Sequence, residues 1–422
     1  MKALKLCTFM ILGIISSGIM MAQQKSDWSV KPYGFIRTDY VFDSRKTANV
    51  REYQVNLYPL DKNLDANGED INASLSSSLL AITSRFGLKV KGKKVWGAKT
   101  AAVIEGDFFG NTELNKSVKS TGSIGLLRLR HAYVKLDWAK TSLLLGQTWN
   151  PSFITDVYPG VANFNVGIMF NPFGRSAQIK LTQQITPHLD FVAVAYKDRE
   201  FSAPIANEGH FNSGSTNSIL PVFHGQLKYK KDHITAGIAG EYQSIKPTTV
   251  SNGLVSNERV NSAHLLAYFK YQNDKIIAKA YGLTGGNMHH LVMLGGYASY
   301  TKTNGQEAYQ PIRTSSAWVD ISSANKKIAP GMFFGYTQLS GAERDQHNKF
   351  TDVHGRGLGA RMIDNVWRVS GRVHFKQNKF SVVPEIEYTS ATFGDIDDNV
   401  KANANPSTVG NVRVSATAVY RF

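Results

Sequence analysis

The last residues of the chain alternate strictly between two kinds of side chain, and this alternation limits the possible folds more than any other feature. Apolar side chains occupy the even positions from Val412 to Phe422, and mostly polar ones occupy the odd positions from Asn411 to Arg421. Successive side chains leave opposite faces of a strand, so a period of two indicates a strand with one apolar face. A long terminal strand of this kind is expected to close a barrel whose outer face contacts acyl chains.

The same alternation recurs upstream, as in residues 79–91, 367–375 and 380–389. A soluble β-sandwich would also show a period of two. Two features favour a transmembrane barrel instead: the hairpins continue without a domain break, and many strands exceed the roughly 5–6 residues usual in globular sheets. The sequence therefore predicts an all-β fold, a transmembrane antiparallel up-and-down β-barrel.

Short polar turns alternate with long loops along the chain. The expected short turns lie at 92–94, 137–140, 186–188, 231–232, 272–274, 323–327 and 377–378. The expected long loops lie near 44–78, 110–123, 150–174, 201–219, 246–260, 285–312, 341–364 and 392–408. Seven short turns and eight long loops join sixteen strands, with short turns on one rim and long loops on the other.

The N-terminus resembles an export signal. Lys2 and Lys5 precede an apolar run from Leu6 to Met21, and Ala22 stands at the expected cleavage site. This arrangement is typical of a secretory signal peptide. We therefore expect a signal peptide over 1–22 and one barrel domain over 23–422. Cys7 is the single cysteine of the chain, so the mature protein would contain no disulfide.

The chain is basic, with 48 Lys and Arg against 32 Asp and Glu and a formal net charge of +16. The basic residues are scattered singly through the alternating segments, and no helical or aromatic-rich module accompanies them. We therefore expect no nucleic-acid partner. A spanning structure without transmembrane helices must be a closed barrel, because open strands would leave backbone groups unpaired in lipid.

With the apolar face toward lipid, the other face lines the lumen. The basic residues expected on it are Arg37, Arg85, Lys99, Arg128, Arg130, Lys180, Arg368, Arg372 and Arg413. A wall of one charge sign concentrates counter-ions, and the arginine fork suits carboxylate or phosphate. One interpretation is an anion-preferring pore. The alternative is that the arginines pair with acids on the same face and make the wall rigid; these acids are Asp39, Glu105, Asp107, Glu385 and Glu387.

The third long loop, residues 150–174, carries no charge after Asp156. Its entry, Gly146-Gln147-Thr148-Trp149, resembles the corresponding strand end in DcaP-like trimeric porins, relatives of the phosphate-selective porins. The terminal Phe422 is similarly what a resemblance to Gram-negative outer-membrane proteins predicts for an assembly signal. The resemblance implies a homotrimer in contact with lipid and lipopolysaccharide that passes small anions such as dicarboxylates. It also implies a constriction at this loop, where we expect Trp149, Phe153, Asp156 and Arg175.

Other motifs are weaker. Acidic clusters in the first and last loops could bind calcium; they comprise Asn63, Asp65, Asn67, Gly68, Glu69, Asp70 and Asp395, Asp397, Asp398. Their spacing is not that of an EF-hand, so the sequence favours solvated turns over calcium sites. We expect no catalytic residue, no metal site and no cofactor. The remaining alternatives are a barrel enzyme, such as a phospholipase or protease with a serine–histidine or carboxylate site, and a surface adhesin or structural barrel.

Overall fold

The computed structural model describes residues 28–50, 54–110, 125–202, 213–343 and 349–422. The expected signal peptide lies outside these residues. Within the described residues, two short helices, α1 (Ser213–Asn217) and η1 (Met288–Leu291), interrupt the strands. No helix in the described ranges is long and apolar enough to cross a membrane. The strands are β1 (Ser29–Asp43), β2 (Thr47–Val50), β3 (Val55–Pro59), β4 (Ser76–Leu80), β5 (Arg85–Val95), β6 (Ala98–Gly110), β7 (Leu126–Asp137), β8 (Thr141–Trp149), β9 (Arg175–Thr186), β10 (Leu189–Lys197), β11 (Val222–Lys231), β12 (Ile234–Ile245), β13 (Val250–Ser251), β14 (Leu254–Val255), β15 (Val260–Gln272), β16 (Ile276–Gly286), β17 (Gly295–Thr301), β18 (Glu307–Pro311), β19 (Arg313–Ser323), β20 (Ile328–Gly341), β21 (Phe350–Arg356), β22 (Arg361–Gln377), β23 (Phe380–Ile396) and β24 (Ala402–Arg421).

Seventeen of these strands form one antiparallel sheet that closes on itself. β4 and β5 pair with successive parts of β1 and share one position in the barrel, so the barrel has sixteen strand positions. The first and last strands meet in register, from Phe35 opposite Arg421 to Asp43 opposite Arg413. The expected closed barrel of sixteen strands is confirmed.

The turns also follow the expected rhythm, with two corrections. The first short turn is Trp96-Gly97, because both residues adopt positive φ, +49° and +78°, as a two-residue hairpin turn requires. The turn expected at 92–94 was wrong, since these residues lie within β5. The last loop is shorter than expected, because β23 and β24 extend through 17 and 20 residues.

The strand ends that the long connections join lie at one rim, and the connections are named here in chain order. They are L1 (44–75), L2 (111–125), L3 (150–174), L4 (198–221), L5 (246–259), L6 (287–312), L7 (342–360) and L8 (397–401). L2 and parts of L1, L4 and L7 fall outside the described residues. Both termini of the barrel lie at the opposite rim, with the short turns.

The two faces of the strands invert the pattern of a soluble protein. In β15, Leu265 is 66 % exposed on the outside, whereas His264 is 4 % exposed on the inside. In β20 every second residue is exposed, and none of these is charged between Ile328 and Tyr336. Such an outer surface is stable only where acyl chains replace water.

The hydrophobic core lies inside the barrel and is built largely from loops. L3 contributes Ile168, Met169 and Phe170, and L6 contributes Met288 and residues 291–294, all of them fully or almost fully buried. These side chains pack against inward-facing aromatics of the wall, so the loops fill much of the lumen. The fold therefore holds L3 and L6 in fixed positions within the barrel.

The exposed outer face leads to a first prediction. Replacement of Leu265 by Arg should destabilise the folded barrel by about 2–4 kcal/mol if the residue lies near the bilayer centre, because the charge would enter hydrocarbon. Urea titration of the protein refolded into phospholipid vesicles would measure this. Leu64→Arg is the matched control, since Leu64 is 59 % exposed in L1. Equal effects of the two substitutions would contradict the assignment of the lipid face.

Candidate functional site in the barrel lumen

L3 leaves the wall at the end of β8 and folds across the lumen. The backbone N–H of Gly160 donates to Asp320 on β19 (3.1 Å). The backbone N–H of Asn163 donates to Glu385 on β23 (2.8 Å). Because β19 and β23 are far from β8 and β9 in the strand order, these contacts place L3 across the barrel interior.

The base of L3 is an aromatic and cationic stack. The rings of Trp149 and Phe153 lie parallel with centroids 4.3 Å apart. The guanidinium groups of Arg175 and Arg130 lie 4.9 and 5.3 Å from the Trp149 ring. Cation–π attraction of this kind is strongest where water is excluded. Three residues expected at the constriction, Trp149, Phe153 and Arg175, therefore come together at the root of the loop.

The expected lumenal arginines are paired with carboxylates. Arg128 and Arg130 both contact Asp107, at 2.7 and 3.0 Å, and Arg130 also contacts Glu105 at 2.8 Å. The remaining pairs are Arg37–Asp39, Arg85–Glu105, Arg175–Glu200, Arg368–Glu387, Arg372–Asp320 and Arg413–Asp43. The geometry thus matches the alternative in which the arginines make the wall rigid, because each positive charge has a negative neighbour.

A cavity of about 450 Å³ lies between L3 and the wall formed by β5 to β11. It is lined by Lys89, Lys180 and Lys228, and by the start of L3 from Trp149 to Asp156. Three carboxylates, Glu105, Asp156 and Asp190, also face it. Lys99, in contrast, lies near the short-turn rim opposite Asp137 of β7, with an exposed side chain.

Basic residues continue from this cavity around the wall beneath L3. We name them the basic arc: Lys180 on β9, Lys228 on β11, Lys270 on β15, Lys279 on β16 and Arg372 on β22. Lys180 interacts electrostatically with Lys228, and Lys279 with Lys270 and Arg372. Asp156 and Asp320 interact with these five cations, and Asp190 lies opposite Lys228 in the β10–β11 register. The arc therefore carries an excess of positive charge.

L3 is tied to the basic arc at two points. Asp156 accepts a hydrogen bond of 2.5 Å from Lys228, and Lys279 donates to the carbonyl of Tyr158 (2.8 Å). Burial would raise the pKa of the Asp156 carboxyl, but the hydrogen bond and charge of Lys228 hold it below its ordinary value. Asp156 therefore stays ionised at neutral pH and partly neutralises the arc.

Sequence reasoning identified Lys180 and Arg372 but missed Lys228, Lys270 and Lys279. The alternation does place Lys228 and Lys270 on the inward face, because each lies an even number of positions from other inward-facing polar residues of its strand. Lys279 lies in the segment where alternation is blurred by small residues such as Ala278, Ala280 and Gly282. A single half-buried lysine in such a segment gives no indication of its neighbours.

A second cluster that the sequence did not indicate is centred on Glu241 of β12. Its Oε1 accepts a hydrogen bond from the Tyr196 hydroxyl (2.6 Å) and lies 3.1 Å from His290 Nε2 of L6. Its Oε2 lies 3.2 Å from both His224 Nδ1 and Ser152 Oγ of L3. A buried carboxylate with this many donors links both loops to the wall.

Ser152 and His264 give this cluster the outward form of a hydrolase site, since Ser152 Oγ lies 3.0 Å from His264 Nε2. His264 Nδ1, however, is 3.8 Å from Glu241, beyond hydrogen-bonding distance. Ser152 is also fully buried. A nucleophile needs an open approach for its substrate, so we assign this cluster to loop anchoring.

The acidic loop clusters form turns. Asp65 accepts hydrogen bonds from the backbone N–H groups of Asn67 and Glu69, and Asp70 pairs with Arg45. In L8, Asp397 accepts hydrogen bonds from the N–H groups of Asn399 and Lys401 in the same way. No group of three or more His, Cys, Asp or Glu within the described ranges has the geometry of a metal site. Calcium binding by these loops stays a prediction.

The chain is similar in fold to solved structures of outer-membrane channels. The chain is similar to the outer membrane channel DcaP of Acinetobacter baumannii, with a TM-score of 0.67, 16 % identity, and coverage of 94 % of this chain and 99 % of that one. It is similar to an anion-selective porin from Comamonas acidovorans, with a TM-score of 0.52, 12 % identity, and coverage of 94 % and 100 %. The trimer form of OmpT from Vibrio cholerae gives the same values.

The chain has the porin fold. No protein-family model matches it, and no curated protein matches it. At these identities the similarities establish the fold alone. The resemblance to DcaP-like porins suggested by Gly146–Trp149 is thereby confirmed for the architecture. The solute and the assembly of this porin-fold chain are inferred from its own lumen below.

The Glu241 cluster leads to a second prediction. Glu241→Gln should lower the free energy of unfolding by roughly 3 kcal/mol, because buried donors lose an ionised partner. It should also speed cleavage of L3 by an added protease, since Ser152 would lose its anchor. Urea titration and limited proteolysis in detergent would measure the two effects. Glu69→Gln, in the exposed part of L1, is the control; a loss of similar size there would contradict the anchoring role.

Proposed function

We propose that this protein is a porin of the Gram-negative outer membrane that lets small hydrophilic solutes diffuse passively and prefers anions such as small carboxylates. The observation that carries the proposal is the basic arc beneath L3. Its lysines lie where L3 narrows the lumen, so a solute passing L3 on this side meets their charge. Export by the leader at residues 1–22 belongs to the same proposal.

The preference for anions follows from which charges are compensated. The lumenal arginines, including Arg372 of the arc, are paired with carboxylates, so they add little net potential to the lumen. Lys180 has no carboxylate within ion-pairing distance in the described part of the chain, and the only acid bound to Lys228 is Asp156. In addition, Nε and Nη1 of Arg372 have no hydrogen-bond partner among the described residues. A low-dielectric wall with such an excess attracts anions and repels cations.

The remaining features of the proposal concern assembly and partners. A related fold occurs in a trimer form, which supports a homotrimer for this chain. Its outer face would contact membrane lipid and, on the long-loop side, lipopolysaccharide. The proposal assigns no residue a catalytic role.

The proposal predicts a specific loss of selectivity. In the double variant Lys180→Gln, Lys228→Gln, the anion-to-cation permeability ratio should fall by roughly threefold or more, because two cations are removed and Asp156 loses its partner. Single-channel conductance should change much less. The reversal potential of purified protein in a planar bilayer under a KCl gradient measures the ratio.

Lys326→Gln is the matched control, because Lys326 is exposed in the short turn between β19 and β20. It removes one positive charge outside the lumen, against two inside it for the double variant, and should leave the reversal potential unchanged. A cation-selective wild-type channel would contradict the proposed role of the basic arc. Absence of any conductance would favour an adhesin or structural barrel instead.

A further inference from the structure

A small sheet stands on the long-loop rim, outside the barrel wall. We name it the outer sheet; its strand order is β18–β17–β21, and it joins L6 to L7. One face packs toward the loop core through Ala298, Phe350 and Val353. Because side chains alternate along strands, the other face presents a separate set: Tyr297, Ser299, Thr301, Glu307, Tyr309, Asp352 and His354.

The β13–β14 hairpin of L5 stands opposite this second face and leaves a cleft of about 410 Å³ between them. On the hairpin side the cleft is lined by Thr248, Val250 and Asn252. On the sheet side it is lined by Glu307 and His354, above the buried rings of Tyr297 and Tyr309. A cavity of this size holds a ligand of one or a few sugar rings rather than a protein loop.

Three contacts fix the width of the cleft. Glu307 donates its backbone N–H to Ser251 Oγ (2.8 Å), and Gln306 donates its side-chain amide to the carbonyl of Val255 (3.3 Å). Lys302 pairs with Glu258 at 2.6 Å. The tight turn at Asn252-Gly253, with φ of +50° and +72°, also sets the shape of the hairpin. A preformed cleft loses less free energy on binding than a flexible loop does.

The side chains that line the cleft favour one class of ligand. Tyr297 stacks against His354 with ring centroids 4.9 Å apart, and Tyr309 packs edge-on against Tyr297 at 5.5 Å. The Tyr309 hydroxyl donates to Glu307 Oε2 (3.0 Å), which fixes the carboxylate at the cleft. Flat rings next to a carboxylate, an amide and hydroxyl groups match a ligand with C–H faces and many hydroxyls.

The side chains described in the cleft also argue against anionic and apolar ligands. None of the described residues that line it is Lys or Arg, whereas recognition of phosphate, sulfate or carboxylate depends on such cations. The few apolar side chains, such as Val250 and Pro247, are too small an area for a lipid or an apolar peptide.

We propose that the cleft between the outer sheet and the L5 hairpin binds a neutral oligosaccharide. This site is separate from the basic arc and does not depend on the selectivity of the pore. Glu307 and Asn252 accept and donate hydrogen bonds to the sugar hydroxyls, and the His354 ring and Val250 contact its C–H faces. A saccharide of this kind has two sources, a free oligosaccharide and the polysaccharide of lipopolysaccharide.

Saturation-transfer NMR on the full chain in detergent micelles tests this site. The probes are maltotriose, cellotriose and chitotriose, with a sulfated heparin disaccharide as the anionic counterpart. We expect saturation transfer to at least one neutral probe and none to the sulfated one. Lipopolysaccharide with and without its polysaccharide, added as a competitor, distinguishes the two sources: displacement only by the complete form identifies the cell's own polysaccharide, and no displacement identifies a free sugar.

Two variants assign the signal to the cleft. Glu307→Gln keeps the shape and should weaken binding about tenfold, equivalent to 1.4 kcal/mol. Val250→Arg should abolish binding, because Val250 is exposed on the hairpin side and the longer side chain would fill the cleft. Glu343→Gln, on the exposed surface of L7, is the control and should bind as the wild type does.

All variants should retain the wild-type conductance, which separates this test from that of the pore. Absence of transfer to every neutral probe would overturn the proposal. So would preference for the sulfated probe, or equal binding by the wild type and Val250→Arg.

Discussion

Closure of the backbone hydrogen-bond ladder is the constraint on which the rest of this structure depends. In hydrocarbon there is no water to pair with a free N–H or C=O group, so a sheet can span the membrane only without edges. Here β1 meets β24 along nine consecutive pairs, and β4 and β5 together complete the other side of β1. A strand that ends at residue 421 can therefore complete a barrel that begins at residue 29.

Closure sends every second side chain inward, and the charges on these residues must be accommodated together. The inner wall lies in a low dielectric, where an unpaired charge costs far more than it does in water. Most arginines consequently pair with carboxylates, often on adjacent strands, as Arg128 does with Asp107. Lys180 and Lys228 of the basic arc instead line a cavity of the lumen, where solvent lowers the cost of an unpaired charge. The described wall thus combines arginines in ion pairs with lysines beside a cavity.

The loops complete the lumen by the same physics. L3 crosses the barrel and satisfies its backbone groups on inward carboxylates, while the Glu241 cluster fixes its first turn and L6 to the wall. Apolar residues of L3 and L6 also form much of the internal core, so their packing holds these loops in place. The opening past L3 is thus set by packing rather than by the length of the loop.

Local patterns in the sequence predicted much of the fold. Alternation identified the strands and their lipid face. Turn residues placed all seven short turns within a few residues. The error at 92–94 arose because Gly92 lies in a strand, next to Trp28, rather than in a turn. The aromatic entry of L3 was also identified. The sequence did not indicate that Lys228, Lys270 and Lys279 lie beneath L3, or that Glu241 joins four side chains.

The sequence by itself determined the class of fold and which face of each strand contacts lipid, because both depend on a period of two that any short window contains. It also determined the number of strands, because turns and loops could be counted along the chain. Only the tertiary structure decided which charges are neutralised and where clefts lie. Asn163 and Glu385 are separated by 222 residues yet hydrogen-bond, and Thr417 and Asp39 by 378. Such partners are fixed by barrel closure and loop packing, and no local pattern carries that information.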